Sequence, residues 1–151
     1  MIWVQFPVGT PKINMKRIIS IFAIAFVLNL IWENLHSVLY ANYMGNKITE
    51  FILLRATLVD AVIITLITLP FIFYPFFKKQ SWLITIIGII IAVCIEYWAL
   101  NTGRWAYNSL MPIIPILNTG LTPTIQLGLL GYVSYFFPNL NRHDPVSQKI
   151  V

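Results

Sequence analysis

Residues 18–40 read I-I-S-I-F-A-I-A-F-V-L-N-L-I-W-E-N-L-H-S-V-L-Y. A hydrocarbon core about 30 Å thick needs roughly 20 apolar residues at 1.5 Å per residue, and this run is long enough. Its second half also carries Asn29, Glu33, His36 and Tyr40 at i, i+4, i+7 and i+11, which places the four on one helical face. A charged side chain at the bilayer centre costs roughly 2.5–3.5 kcal/mol even on insertion scales, so such a stripe turns away from lipid. The stretch therefore predicts a transmembrane helix and, with it, a bundle whose interior or water-filled side is polar.

Composition points the same way. Of 151 residues, 58% are hydrophobic and only 10% charged, which exceeds what a soluble domain of this size can bury. A net charge of +5 raises nucleic acid as a partner, but no aromatic-basic motif or basic helix is present, and Lys and Arg lie at the edges of the apolar runs. They read as topology determinants, and no nucleic-acid partner is assigned. Cys94 is the single cysteine, so no intrachain disulfide forms. Met15-Lys16-Arg17 opens like a fresh start, so either Met15 is the initiator or residues 1–14 are an interfacial tail. No small-x-small cleavage pattern follows the apolar run, and 18–40 is therefore read as a helix, not a signal peptide.

Three further helices are expected: Ile52–Tyr74, bent by Pro70; Trp82–Leu100; and Leu121–Phe137, with Pro123 at its start and Pro138 ending it. The domain reading is a tail over 1–17, one transmembrane domain over 18–138 and a tail over 139–151. Lys12, Lys16 and Arg17 precede the first helix, Lys78 and Lys79 fill the middle link, and Arg142 and Lys149 lie in the tail. The opposite side offers Lys47 and Arg104. The positive-inside rule then places both termini and the middle link in the cytoplasm of a multi-pass cell (inner) membrane protein. The fold class is all-α, an integral membrane four-helix up-down bundle.

The segment before the fourth helix is not ordinary membrane filler. Residues 96–127 read E-Y-W-A-L-N-T-G-R-W-A-Y-N-S-L-M-P-I-I-P-I-L-N-T-G-L-T-P-T-I-Q-L, with prolines at 112, 115 and 123. It is too irregular for lipid exposure and is expected to be interfacial or re-entrant on the outer side. With that topology Glu33 lies about 10 Å, Asp60 about 12 Å and Glu96 about 6 Å from the outer helix ends. Gln126 enters just inside the fourth. All four helices thus bring a polar group to the same outer half. An outward-opening pocket lined by Asn29, Glu33, His36, Asp60, Glu96 and Gln126 follows, with Arg55 and Arg104 near its mouth as counter-charges. Trp32, Trp98, Trp105 and Tyr107 are placed at its rim. Glu33, His36, Asp60 and Glu96 are the catalytic candidates, and Asn29, Arg55, Trp98, Asn101, Arg104, Trp105, Tyr107 and Gln126 are the binding candidates.

Each of these features has an ordinary counterpart. Glu33-x-x-His36 has the spacing of half a carboxylate-bridged di-iron site, but no other His falls in a membrane segment, so no metal and no cofactor are assigned. Arg104 with its Trp and Tyr neighbours also matches an aromatic belt, and single buried polar groups often only join helices. The argument rests on their convergence.

The segments W-E-N-L-H-S-V-L-Y, Asp60, E-Y-W-A-L-N-T-G-R-W-A-Y-N-S-L-M-P-I-I-P and G-L-T-P-T-I-Q resemble a family of small, uncharacterised bacterial four-helix membrane proteins. The resemblance runs over nearly the whole chain from Met15 and implies no activity. A more distant similarity is to carotenoid-biosynthesis membrane proteins, including small lycopene cyclase subunits, which pair an intramembrane acid with a Gly-aromatic-Tyr turn. Where those carry Pro-x-Glu-Glu, this chain reads Gly120-Leu121-Thr122-Pro123-Thr124-Ile125-Gln126.

Three functions stay open on the sequence: binding or chemical modification of a membrane lipid or isoprenoid-type molecule; proton- or ion-coupled transport, which would call for a homo-oligomer; and a non-catalytic assembly role in which the polar groups only pair helices.

Overall fold

A computed structural model describes residues 14–140. The terminal segments beyond them, with Lys12, Arg142, Lys149 and the question of Met1 against Met15, lie outside the described residues.

The chain is mostly helical. Helix α1 (Met15–His36) begins at Asn14, whose side chain accepts from the Arg17 amide at 3.2 Å. A 3₁₀ turn (Ser37–Leu39) and strand β1 (Tyr40–Tyr43) follow, then α2 (Glu50–Phe73), the short α3 (Pro75–Lys78) and α4 (Leu83–Asn101). Strands β2 (Trp105–Tyr107), β3 (Ile113–Ile114) and β4 (Thr119–Gly120) lead into α5 (Leu121–Leu140). Helices α1, α2 and α4 are long and apolar enough to cross a membrane, which is compatible with a multi-pass protein. Helix α5 is not among them: its Thr, Gln, Gly and Pro residues dilute its apolar content.

Several boundaries differ from the sequence expectation. The first helix stops at His36, so Tyr40 belongs to a strand and not to the helix. Residues 41–50, which the expected helices leave as a link, supply most of β1 and a tight turn. Tyr43 and Asn46 bond reciprocally at 2.9 Å around Met44 and Gly45, whose φ values of 50° and 75° are those of a primed hairpin turn. Pro138 lies inside α5 and does not end it. The irregular segment before α5 supplies β2, which pairs with β1, and the β3–β4 ribbon, two small antiparallel additions to a mostly helical chain.

The Gly103-Arg104-Trp105 sequence turns α4 into that cap. Gly103 sits at φ 64°, its amide bonds to the Leu100 carbonyl at 3.2 Å, and the Arg104 amide bonds to the Ala99 carbonyl at 2.8 Å. This is a Schellman ending, which favours glycine at that position. Arg104 then gives its carbonyl to the Met44 amide, and Asn108 takes the carbonyls of Leu39 and Val38 through its amide and side chain. The end of α4 is therefore stitched to the end of α1.

Helix α1 packs on α2 and α5, and α5 packs on α4, whereas α2 touches α4 only sparsely. The half remote from the ribbons is filled by Ile21, Phe71, Ile72, Ile84 and Tyr135. The α4–α5 contact depends on glycine. A Cβ on Gly128 would fall 2.6 Å from the Thr85 carbonyl oxygen, and one on Gly88 would fall 2.6 Å from the Gly128 backbone. Close backbone approach of this kind is how helices pack where burying apolar surface gives little drive. Gly128→Ala is therefore expected to lower thermal stability in detergent by about 1–3 kcal/mol or more, since the backbone it strikes cannot yield. Gly131→Ala, which meets only side-chain atoms, the nearest an Ile84 methyl at 3.3 Å, should cost less. Equal melting temperatures for the two variants would contradict the close crossing.

Candidate functional site

Along α1 the buried residues Ile21, Ala25, Asn29 and Glu33 recur every four residues, and His36 continues the stripe. Its chemistry changes midway: Ile21 and Ala25 face apolar core, whereas Asn29, Glu33 and His36 face polar partners. Asp60 of α2, Glu96 of α4 and Gln126 of α5 meet them there. Glu96 and Gln126 are 2% and 4% exposed, so both depend on protein partners, not on solvent.

Gln126 is the hub of the first cluster. Its Nε2 faces Glu33 Oε1 at 2.7 Å, Asp60 Oδ2 at 2.9 Å and Asn29 Oδ1 at 3.0 Å. Asn29 is itself oriented by donating to the Ala25 carbonyl at 2.8 Å. An amide NH₂ has two hydrogens, so it serves two of these three oxygens at once. Glu33 and Asp60 are also close enough to interact directly.

Glu96 is the centre of the second cluster. Tyr40 donates to its Oε1 at 3.3 Å, and Tyr107 donates to the same oxygen through a short bond. Tyr107 Oη also accepts from the Gly120 amide at 2.8 Å, which fixes the phenol as donor toward Glu96. Burial, followed by the charge of Glu96, pushes the Tyr40 phenol far above its ordinary value. Burial and the bond to Glu96 likewise push Tyr107 up. Both rings therefore keep their protons and act as donors. The Trp105 indole lies close enough to Glu96 to interact with it but makes no well-formed hydrogen bond.

His36 donates from Nδ1 to the Trp32 carbonyl at 2.8 Å, which leaves Nε2 as the ring nitrogen not engaged in that bond. Its ring stands edge-on to Tyr40 at 5.4 Å.

The two clusters share a cavity of about 280 Å³ that lies beneath β1–β2 and between α2 and α4. Glu33, His36, Asp60, Glu96, Gln126, Arg55, Trp98, Arg104 and Trp105 all line it, among the residues expected from the sequence. Asn29 and Tyr107 stand outside its lining and act through Gln126 and Glu96. Asn101 does not join the site: it is exposed and bonds back to the Tyr97 carbonyl at 2.7 Å. Trp32 packs against the apolar core and not at a rim.

The arginines depart from expectation most clearly. Among the described residues neither forms an ion pair with an acid. Arg55 donates to the Tyr43 hydroxyl and lies over that ring at 5.6 Å, and Arg104 lies over Trp98 at 4.9 Å. Among the described residues no three His, Cys, Asp or Glu side chains converge as a metal site.

Tyr40, Asn42 and Tyr43 are parts of the site that sequence reasoning placed in a helix stripe or left in a loop. The Asn-Tyr-Met-Gly-Asn turn sequence was the available signal, since it marks a hairpin that folds these residues back over the helices.

Comparison with known proteins gives no match. No family, curated protein or solved structure resembles the chain closely enough to be reported, and the site is read from its own chemistry.

Two outcomes test this geometry. Gln126→Leu leaves two carboxyls without their shared donor and should cost about 1–3 kcal/mol in a detergent unfolding assay. Adding Asp60→Leu should recover part of the loss, with a coupling above about 0.5 kcal/mol; strict additivity would mean that the hub does not join them. For the phenols, a raised folded-state value means that their contribution to stability is complete below the ordinary phenol value of about 10 and falls as pH rises beyond it. The melting temperature of the wild type should therefore drop above about pH 10 more steeply than that of Tyr40→Phe/Tyr107→Phe.

Proposed function

We propose that the chain is a four-helix up-down membrane bundle, with both termini cytoplasmic, that binds a lipid or isoprenoid-type amphiphile in the acid-lined cavity beneath its outer cap. One observation carries this reading: Glu33, Asp60 and Glu96, from three helices, line one cavity with Gln126 and without a carboxylate–arginine pair. Intramembrane acids are costly, and groups used only for helix pairing have no reason to border open space.

The surface of the cavity fits the class of ligand. Ile52, Val59, Ile95 and Leu127 form apolar walls beside the carboxyls. At about 280 Å³ it is near the lower end for ligand pockets and suits the polar end of an amphiphile, with its tail leaving between α2 and α4. If the bound molecule is also modified, Glu33, Asp60 and Glu96 are the proton donors or acceptors, and the Trp105 and Tyr40 faces stabilise positive charge. His36, through Nε2, serves as relay. A through-path for ions has less support, because the opposite half is packed with Ile21, Phe71, Ile72 and Ile84.

Helix pairing alone is the second reading, and the Gln126 hub favours it, since that amide joins α1, α2 and α5 directly. The two readings separate on occupancy and stability measured together. Asp60→Asn and Glu96→Gln, purified in mild detergent, should keep the wild-type melting temperature within a few degrees. They should also lose most of the amphiphile that extraction and mass spectrometry find on the wild type. Undiminished ligand in both variants, with lower melting temperatures, would sink the binding reading in favour of pairing.

A further inference from the structure

The acids at the base of the cavity take the eye, but the groups at its mouth say more about what enters. Arg55 and Arg104 both line the cavity, one from α2 and one from the turn after α4, the two helices that diverge. Asp60 is five residues further along α2 than Arg55, about 7.5 Å at the helical rise. The polarity of the cavity therefore runs from cations at the mouth to acids within.

Three carboxyls line the same cavity, yet among the described residues both arginines rest on aromatic rings instead. Arg104 uses the face of Trp98, which consumes none of its N–H donors. Arg55 uses the Tyr43 face and spends one N–H on that hydroxyl. A guanidinium has five donors in a planar fork, so each retains most of its hydrogen-bonding capacity in a fixed orientation. Arg55 is exposed and Arg104 half-buried, so both are accessible. A cationic ligand would have to pass this pair. An anion is drawn to it and can be met by a fork from each side.

Resting on the binding reading above, we infer that the ligand is an amphiphile with a phosphate-type anionic headgroup, held between Arg55 and Arg104. Its first tail segment lies along Ile52, Val59 and Ile95, toward the acids. The headgroup stays at the level of the β1–β2 ribbon, where water reaches it, and the chain enters sideways through the sparse α2–α4 contact. Trp98 and Trp105 border both parts of this path and report on it.

Titration of the full chain in neutral detergent, followed by tryptophan fluorescence, tests the inference with three probes: dioleoyl phosphatidic acid, dioleoylglycerol and inorganic phosphate. The first two share tails and differ by the phosphate. Phosphatidic acid is expected to bind at least about tenfold more tightly than the diglyceride. Arg55→Gln/Arg104→Gln should remove that advantage, and Arg55→Lys/Arg104→Lys should retain part of it, because charge without the fork is kept. Diglyceride affinity should change much less across the three proteins than phosphatidic acid affinity does. Arg55 is exposed, so Arg55→Gln alone, expected to lose about half of the advantage in logarithmic terms, covers failure of the double variant to fold.

Competition by millimolar inorganic phosphate, lost in the Gln variant, would support the anion cradle and assign a free phosphate as its source. Equal binding of phosphatidic acid and diglyceride, unchanged by the arginine variants but reduced by the cavity-filling Ala56→Phe, would overturn the headgroup inference and leave the binding reading intact. Fluorescence that responds to no probe, or equally in Ala56→Phe, would overturn both.

Discussion

The amide nitrogen of Gln126 faces oxygens of Asn29, Glu33 and Asp60, all within 3.0 Å, and the placement of three helices, α1, α2 and α5, follows from that meeting. In hydrocarbon an unmet carboxyl is expensive, so α1 and α2 cannot rotate away from α5 without stranding one. Helix α4 is not held by this hub. It is fixed to α5 by the Gly88–Gly128 crossing, where the two backbones meet directly. Polar bonding on one side of α5 and bare backbone packing on the other leave α2 and α4 apart. The cavity is the consequence of two incompatible ways of holding a helix.

The cap converts that gap into a site. Because α4 ends at Gly103 and turns directly into β2, the chain crosses above the cavity and pairs with β1, which continues α1. Tyr40 and Tyr107 come from these two strands and point their hydroxyls at one oxygen of Glu96. The Gly120 amide, at the entry to α5, bonds the far side of the Tyr107 hydroxyl. A deletion in this ribbon would therefore reach the acid through two hydrogen bonds, with no change in the helices themselves.

The sequence made some of this legible for definite physical reasons. Apolar length and polar periodicity follow from helix geometry, which is why α1 and the meeting of Glu33, Asp60, Glu96 and Gln126 on one level are readable from spacing. Helix rise gives depth but not rotation, so it cannot say that Asn101 turns outward or that Trp32 enters the core. Pairing between β1 and β2 joins residues more than 60 positions apart and leaves no periodic trace in strands of four and three residues. The arginines were misread because charge complementarity alone would send them to the acids. An aromatic face competes well for a guanidinium near the membrane surface, since it requires little desolvation of the charge.

That competition sets the chemistry of the cavity. If Arg55 or Arg104 neutralised Glu33, Asp60 or Glu96, the result would be a closed buried ion pair, a structural element with little left to offer a ligand. Holding the cations on Tyr43 and Trp98 keeps the two signs of charge on separate levels of one opening. The acids then depend on neutral donors: the Gln126 amide for one pair and two phenols for Glu96. Neutral donors stabilise a carboxyl without cancelling its ability to exchange a proton. The site therefore presents forked cations outside, apolar walls between and acids held by neutral donors inside.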